Sequence, residues 1–236
     1  SLKIDRKVLV IGIDGFRSDV MQQDITPFMH NLTKSRNGYY NLAHLAEEIT
    51  YSGPNWSSML TGVHQDKHNV TNNDFDNDNY STYPPFFHYI EEADNSINTS
   101  SIVNWTPINT YIVSGYADIA PEESINDATV LLTAQDILSS ASADILFLHF
   151  DELDGAGHSY GYSPDVEEYI NTAANLDSYV ETLFNIIESK RSNGEDWMFF
   201  IISDHGGEGT GHGDASNSNI RNTVFFVEHP TLEFQA

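Results

Sequence analysis

The chain of 236 residues has no cysteine, which excludes disulfide scaffolds, thiolate zinc sites and cysteine nucleophiles. It is also poor in basic residues: ten Lys and Arg face 35 Asp and Glu, the formal net charge is −25, and the segment from His68 to Ser189 contains neither Lys nor Arg. A surface of this charge repels nucleic acid polymers and anionic membranes. No apolar run approaches the roughly 20 residues of a membrane-spanning helix. We therefore expect no nucleic acid partner and no membrane span.

Apolar, strand-like segments alternate with helical patterns along the whole chain. Strands are predicted at 7–13, 100–105, 144–150, 197–203 and 222–227, and helices at 26–35, 55–61, 85–93, 122–140 and 164–190. This alternation predicts an α/β fold, in which a three-layer α/β/α sandwich surrounds a mainly parallel central sheet.

Polar side chains that can bind metal follow three of these predicted strands. Asp14 follows the first strand, Asp154 follows the strand at 144–150, and Asp204 with His205 follows the strand at 197–203. Ligands of parallel α/β sheets bind beyond the carboxyl ends of the strands. We therefore expect these side chains to meet at one edge of the sheet, which scattered surface residues would not do.

The spacing within two of the segments suits metal chelation. Asp154 and His158 are four residues apart, and a carboxylate with an imidazole suits zinc, manganese or iron. The two Gly residues between them favour a loop over a helix. His212 lies in a second Gly-flanked position after Asp204 and His205. Taken alone, each segment could instead be a helix cap or an exposed polar loop.

Ser52 is the candidate nucleophile. It lies in the turn before Pro54, directly ahead of a helical pattern. A helix N-terminus offers free N–H groups and a positive field to a phosphate oxygen, and a cation on the Ser oxygen would lower its pKa. The alternative is that Ser52 only caps the helix. Ser57 and Ser58 lie inside the helical pattern and are expected to be structural.

In this order, the segments IGIDG, SGPNWSSMLTGV, DGAGH and SDHGGEGTGHG resemble the motifs of the alkaline phosphatase superfamily, and most of all its nucleotide pyrophosphatase/phosphodiesterase branch. The resemblance extends from Lys7 to about Glu228. It implies an alkaline phosphatase-like fold, and we expect a single catalytic domain over 1–236 that is either minimal or truncated at its C-terminus. It also implies that Ser52 is the nucleophile and that Asn73, 21 residues further on, donates to an oxygen of the transferred group.

The same resemblance implies two divalent metal ions, with zinc expected. One ion would be held by Asp154, His158 and His212. The second would be held by Asp14, Asp204, His205 and the oxygen of Ser52. His212 follows the DHG pair more closely than the third His of the pyrophosphatases does, as in the compact bacterial members of the superfamily.

The implied function is that of a two-metal hydrolase cleaving phosphodiester or nucleotide pyrophosphate bonds through a covalent phospho-serine intermediate. Monoesters carry an extra negative charge, which monoesterases of the superfamily meet with Arg, Lys or a third metal ion. The missing Lys and Arg favour diesters, although Arg17, Lys67 and Arg221 remain possible contacts. The alternatives are a phosphomonoesterase, a sulfatase and an inactive metal-binding module. The sulfatase is disfavoured because Trp56 replaces the Arg of the activation motif.

The expected partner is a small-molecule phosphoester, whose leaving group could stack on an aromatic side chain. Candidates for that stacking are Trp56, Trp105, Tyr111 and Tyr160. We expect a secreted or periplasmic protein.

Overall fold

A six-stranded mixed sheet forms the centre of the molecule. The computed structural model describes residues 5–35 and 37–234. The strands are β1 (Arg6–Ile13), β2 (Gly38–Leu45), β3 (Thr99–Val103), β4 (Ile145–Phe150), β5 (Asp196–Ser203) and β6 (Asn222–Glu228). Their spatial order is β2-β6-β5-β1-β4-β3, with β5, β1, β4 and β3 parallel. The pairings of β6 with β5 and of β2 with β6 are antiparallel.

Helices cover both faces of this sheet. They are α1 (Pro27–Leu32), α2 (Ser52–Thr61), α3 (Gln65–His68), α4 (Phe86–Ala93), α5 (Asp127–Ser139), α6 (Glu152–Tyr160), α7 (Glu167–Ser192) and α8 (Ser218–Arg221). A 3-10 turn at Ser18–Val20 and a π-helix at Ile108–Val113 complete the regular structure of the described residues.

Two hydrophobic cores lie on opposite faces of the sheet, because successive strand residues point to opposite sides. On β1, Leu9 packs in the core that contains α1, α5 and α7, whereas Val10 packs in the core that contains α2 and α4. The central strands are therefore apolar on both faces, as parallel strands usually are. The predicted α/β/α sandwich around a mainly parallel sheet is confirmed.

The edge strand β2 was not predicted. Its residues are exposed or half-buried, and Leu45 is 58% exposed, so the segment lacks the apolar pattern of an inner strand. The predicted strand at 222–227 is present as β6 but runs antiparallel. Within residues 5–35 and 37–234, no helix is long and apolar enough to cross a membrane.

The strand register delivers polar residues to one edge of the sheet. Ile13 is paired with Phe150 on one side and with Ser203 on the other. The chain leaves β1, β4 and β5 at the same level, so Asp14 and Asp204 emerge side by side with the start of the segment that carries Asp154.

Candidate active site

Two groups of side chains that could bind a metal ion adjoin each other at this edge. One contains Asp154, His158 and His212, and the other contains Asp14, Asp154 and His205. Within each group, one ligand atom from each residue lies within 4.8 Å of the others. The Asp154 carboxylate belongs to both groups and thus links them.

Asp204 and Ser52 border the second group. The Oδ2 atom of Asp204 lies 3.2 Å from Nε2 of His205, and the hydroxyl of Ser52 lies 3.2 Å from the same nitrogen. Ser52 Oγ is also 3.4 Å from Oδ1 of Asp14. The structure therefore brings all seven predicted metal-binding residues together.

The carboxylates are buried at a cost that a cation would relieve. Asp204 Oδ2 is a fully buried side-chain oxygen without a hydrogen-bond partner among the described residues. Burial, followed by repulsion from Asp154, raises the pKa of Asp204 well above its usual value. The pKa of Asp14 is also raised well above its usual value, first by burial and then by the charges of Asp204 and Asp154. Without cations, ionising these groups is unfavourable.

The three imidazoles of the site are held in the same way. The Nδ1 atom of His158 lies 3.0 Å from the carbonyl of Thr210, and Nδ1 of His212 lies 2.8 Å from that of Thr50. In His205, Nδ1 is 2.7 Å from the carbonyl of Gly206. A carbonyl only accepts, so each Nδ1 carries the proton and each Nε2 keeps a free lone pair when the ring is neutral. This arrangement is typical of metal-binding histidines.

The segment that carries Asp154 and His158 is helical, so the predicted loop is wrong. Gly157 lies within α6, and a Cβ atom at this position would lie 2.2 Å from the ring of Tyr162. The ring of Tyr162 is equally close to Gly207, and its hydroxyl donates to Asp154 Oδ1 at 2.5 Å. Thus two of the glycines make room for a tyrosine that orients a predicted metal ligand.

The electrostatics of Asp154 and His158 follow from their contact within the helix. Their nearest side-chain atoms are 3.3 Å apart. Burial raises the pKa of Asp154, but hydrogen bonds with His158 and Tyr162 and the nearby histidines lower it to about 2. The hydrogen bond with Asp154 raises the pKa of His158 to about 9. A cation bound by this pair would have to displace a proton from His158.

Ser52 is the first residue of α2 rather than its cap. The helix has no side-chain cap, and the hydroxyl of Ser52 turns toward Asp14 and His205 instead. Gly53 donates its N–H to Oδ1 of Asn73 at 2.8 Å. A Cβ atom on Gly53 would lie 2.5 Å from the carbonyl of Asn72, so glycine permits this close approach. Ser52 and Asn73 therefore lie next to each other at the helix N-terminus.

Sequence reasoning missed several residues around these ligands. His149 lies at the end of β4 with no exposed surface, and its Nε2 is 2.9 Å from Asp14 Oδ2. Asp127 accepts from the N–H groups of Asp151 and Glu152 at 2.9 and 3.0 Å, and thereby caps α6 from outside the helix. The only signal for His149 was a polar residue in an otherwise apolar strand. The sequence contains no signal for Asp127, because it caps a helix that belongs to a later segment of the chain.

Two further expectations need correction. Trp56 has no exposed surface and donates its indole N–H to Asp14, so it cannot stack on a leaving group. Arg17 is 5% exposed, and its guanidinium contacts Asp19 at 2.6 Å and the carbonyl of Tyr162 at 2.5 Å. Because these contacts occupy its guanidinium, Arg17 supports the loop around Tyr162 instead of facing a substrate.

The sheet topology and the Asp/His groups at its carboxyl edge define a protein of the alkaline phosphatase superfamily. A family model described as type I phosphodiesterase / nucleotide pyrophosphatase matches residues 8–225. The chain belongs to this family.

Named relatives agree with this assignment. A bovine (Bos taurus) bis(5'-adenosyl)-triphosphatase, ENPP4, is 24% identical over 221 residues, which cover 85% of this chain and 47% of that protein. An inactive form of murine ectonucleotide pyrophosphatase/phosphodiesterase 5, solved in complex with AMP, has a TM-score of 0.67 at 21% identity, with 85% of this chain and 57% of that chain covered. The chain spans about half the length of the curated relatives it matches.

A more distant structure has a similar fold. The C-terminal periplasmic domain of EptC from Escherichia coli, solved in complex with Zn, has a TM-score of 0.66 at 16% identity, with 94% of this chain and 72% of that chain covered. At this identity the likeness shows the fold alone.

Proposed function

We propose that the protein hydrolyses phosphodiester or nucleotide pyrophosphate bonds of small molecules, with Ser52 as the nucleophile. The observation that carries the proposal is the position of the Ser52 hydroxyl. It lies 3.2 Å from His205 Nε2 and 3.4 Å from Asp14 Oδ1, at the N-terminus of a helix and beside a cluster of buried carboxylates.

Two divalent ions, with zinc expected, would complete the site. Asp154, His158 and His212 would hold one ion, and Asp14, Asp204, His205 and the Ser52 oxygen would hold the second. The orphaned oxygen of Asp204 supports this assignment, and so do the three imidazoles, whose Nδ1 atoms face carbonyl oxygens and leave Nε2 as the ligand atom of the neutral ring. When bound, the ions would supply Lewis acidity, which lowers the pKa of a serine hydroxyl and stabilises a departing oxygen.

The chain's own residues would then carry a two-step displacement. Ser52 Oγ attacks phosphorus, the bond from phosphorus to the leaving-group oxygen breaks, and the serine proton passes to the leaving group through solvent. Water next attacks phospho-Ser52, which releases the phosphate monoester and restores the serine hydroxyl. Asn73 uses its Oδ1 atom to accept from Gly53, so its amide NH2 is the end that would donate to a phosphate oxygen.

The preference for diesters rests on charge. The nearest Arg in sequence to the site, Arg17, is occupied by Asp19 and by the carbonyl of Tyr162. Among the described residues, Arg221 has no ion pair; it contacts the carbonyl of Ala46 in a cavity that Asp204 lines and Ser52 does not. The described contacts of the Ser52 hydroxyl include no Lys or Arg, which a dianionic phosphate monoester needs more than a monoanionic diester does.

The test compares zinc-loaded protein on bis-p-nitrophenyl phosphate, p-nitrophenyl phosphate and p-nitrophenyl sulfate. We expect kcat/KM to be highest for the diester. We expect Ser52→Ala to lower it by more than about 1,000-fold, because the nucleophile itself is lost. Ser58→Ala is the matched control, since the Ser58 hydroxyl contacts Glu47 and His68 instead of the cluster.

The alternatives give different outcomes. Faster hydrolysis of the monoester by orders of magnitude would identify a phosphomonoesterase, and turnover of the sulfate ester would identify a sulfatase. Zinc binding without turnover of any ester would identify an inactive metal-binding module. Unchanged activity in Ser52→Ala would contradict the proposed nucleophile.

We also propose that residues 1–236 act as one catalytic domain outside the cytoplasm, in the periplasm or after secretion. The support for location is that the EptC structure with the same fold is a periplasmic domain. Cell fractionation of a tagged full-length protein tests the location.

A further inference from the structure

We propose that His149 and Trp56 are positioning residues that hold the Asp14 carboxylate in one orientation, so that Oδ1 alone is presented to a metal ion. This inference rests on the proposed function and deepens it. It assigns roles to two buried polar groups that the displacement itself does not use.

The contact of His149 with Asp14 is well defined. His149 lies on β4 directly opposite Gly12 of β1, and it has no exposed surface. Its Nε2 atom is 2.9 Å from Oδ2 of Asp14. An ionised carboxylate only accepts hydrogen bonds, so the proton lies on Nε2 and points at Oδ2. The N–H of Trp105 donates to the other ring nitrogen, Nδ1, at 3.5 Å.

Trp56 approaches the same oxygen from α2. Its indole nitrogen is 2.8 Å from Asp14 Oδ2, and an indole N–H can only donate. The indole ring lies over Gly12, where a Cβ atom would be 2.5 Å from a ring carbon. It also meets the ring of His149 edge to face, with centroids 4.9 Å apart and planes at 82°. Gly12 thus makes room for a rigid pair of donors.

The two oxygens of Asp14 consequently have different surroundings. Oδ2 receives both donors, which satisfies its lone pairs within the protein. Oδ1 lies 3.4 Å from Ser52 Oγ and 3.4 Å from His205 Nε2, on the side of the cluster. Outer-sphere donors of this kind fix the direction of a ligating carboxylate, and their loss lowers metal affinity by about 10- to 100-fold.

A competing interpretation uses the same atoms. Asp14, His149 and Asp151 also form a group whose ligand atoms lie within 4.8 Å of one another, so His149 could itself ligate an ion. The positioning role predicts that His149 keeps its proton on Nε2 and binds no metal. The two interpretations differ in how many ions bind and in which substitutions restore binding.

Isothermal titration of zinc into the metal-free protein separates them. We expect two ions per wild-type chain. In His149→Leu, one of the two sites should weaken by about 10- to 100-fold while the other keeps its affinity. His149→Gln should recover most of the affinity, because its side-chain amide can donate to Oδ2. Trp56→Phe keeps an aromatic ring, although a smaller one, loses the donor and should weaken the same site.

Tyr162→Phe is the matched control for these variants. It also removes one donor from a predicted ligand, but that ligand is Asp154, so it should weaken the other site, formed by Asp154, His158 and His212. Circular dichroism and thermal unfolding of the metal-free variants check that each is folded. If His149→Leu does not fold, His149→Gln and Trp56→Phe still give the comparison.

Three outcomes would overturn the inference. The first is that zinc affinities in His149→Leu and Trp56→Phe equal those of the wild type. The second is that three ions bind to the wild type and two to His149→Leu, which makes His149 a ligand. The third is that the wild type binds no zinc, in which case the proposed function fails as well. Two tight sites without ester turnover would contradict the proposed function alone.

Discussion

The carboxylates at the two ends of the central sheet have different partners. At the amino end of the parallel strands, carboxylates meet basic side chains: Lys7 contacts Asp144 at 2.8 Å, and Arg6 contacts Asp196 at 3.1 Å. At the carboxyl end, Asp14, Asp154 and Asp204 meet imidazoles, hydroxyls and N–H groups, and none of the three has a Lys or Arg partner among the described residues.

The pKa values of Asp144, Asp14 and Asp204 follow this difference, whereas the pKa of Asp154 is lowered to about 2 by His158 and its other neighbours. Burial acts on carboxyls at both ends, but hydrogen bonds and charge from Lys7 lower the pKa of Asp144 below its usual value. At the carboxyl end, burial and mutual repulsion raise the pKa values of Asp14 and Asp204. Lys7 and Arg6 thus offset carboxylate charge at the amino end, whereas Asp14 and Asp204 at the carboxyl end have no Lys or Arg partner among the described residues.

The largest effect expected from this comparison comes from Asp204→Asn. Asn can still accept from Gly15 and His205 through Oδ1, but it supplies no negative charge to a cation. We expect kcat/KM of the zinc-loaded enzyme for the diester to fall by more than about 100-fold. That figure is the upper limit for substitutions that remove only a hydrogen-bond partner of a metal ligand. Steady-state kinetics with a matched zinc titration measures it.

Stability should respond in the opposite sense. Removing one buried carboxylate relieves repulsion, so the metal-free variant should be at least as stable as the wild type toward urea. Asp136→Asn, at an exposed position of α5, is the control for the same chemical change. If Asp204→Asn loses metal-free stability but keeps its activity, the Asp204 carboxylate stabilises the fold and is not needed to bind a cation.

Much of this arrangement could be predicted from the sequence because the central strands are continuous apolar runs with polar residues at their ends. The strands ending at Ile13, Phe150 and Ser203 were all recognised, and their parallel register brings Asp14, Asp154 and Asp204 together. The resemblance to the superfamily supplied the grouping of these residues.

The remainder depends on contacts between distant segments. The local Gly content indicates a loop, but the segment is helical, and Gly157 leaves space for the ring of Tyr162. His149 and Trp56 looked like a strand residue and a substrate-facing aromatic, yet both point at Asp14. Sequence spacing within one segment does not reveal partners contributed by another segment.

A second way to test the comparison is the pH dependence of metal-free stability. Burial, followed by the charge of Asp14, raises the pKa of Asp151 from 3.8 to about 7. Because the pKa is raised, the folded state binds the Asp151 proton more tightly than the unfolded state does. The stability that this proton contributes is present below the unfolded pKa and is lost as pH rises through about 7. The lowered pKa of Asp144 has the opposite sign, since its contribution is lost as pH falls below the unfolded value.

The measurement is the difference in urea unfolding free energy between the wild type and Asp151→Asn, in the presence of a chelator. We expect the variant to become more stable relative to the wild type as pH rises from about 4 to about 7. His212, whose pKa burial lowers to about 4, destabilises the fold in acid, but it cancels in this difference. If the difference in unfolding free energy does not change across this pH range, the pKa of Asp151 is not raised by its surroundings.

The smallest of these effects should come from the amino end, in Lys7→Met. The ammonium group of Lys7 donates to Asp144 and to the carbonyl of Ala143, both at 2.8 Å, and the side chain is 10% exposed. Its loss leaves a partly buried carboxylate unpaired, and we expect about 2 kcal/mol of destabilisation in urea unfolding, below the range for fully buried pairs because water still reaches Asp144.

The activity of Lys7→Met should equal that of the wild type at temperatures where both are folded, because the substitution lies at the opposite end of the sheet from Ser52. Lys34→Met, at an exposed position, is the matched control and should change stability little. Adding Asp144→Asn to Lys7→Met should recover part of the loss, since the unpaired charge is then absent. If the double variant is no more stable than Lys7→Met, the aliphatic stem of Lys7, and not its charge, stabilises this end of the sheet.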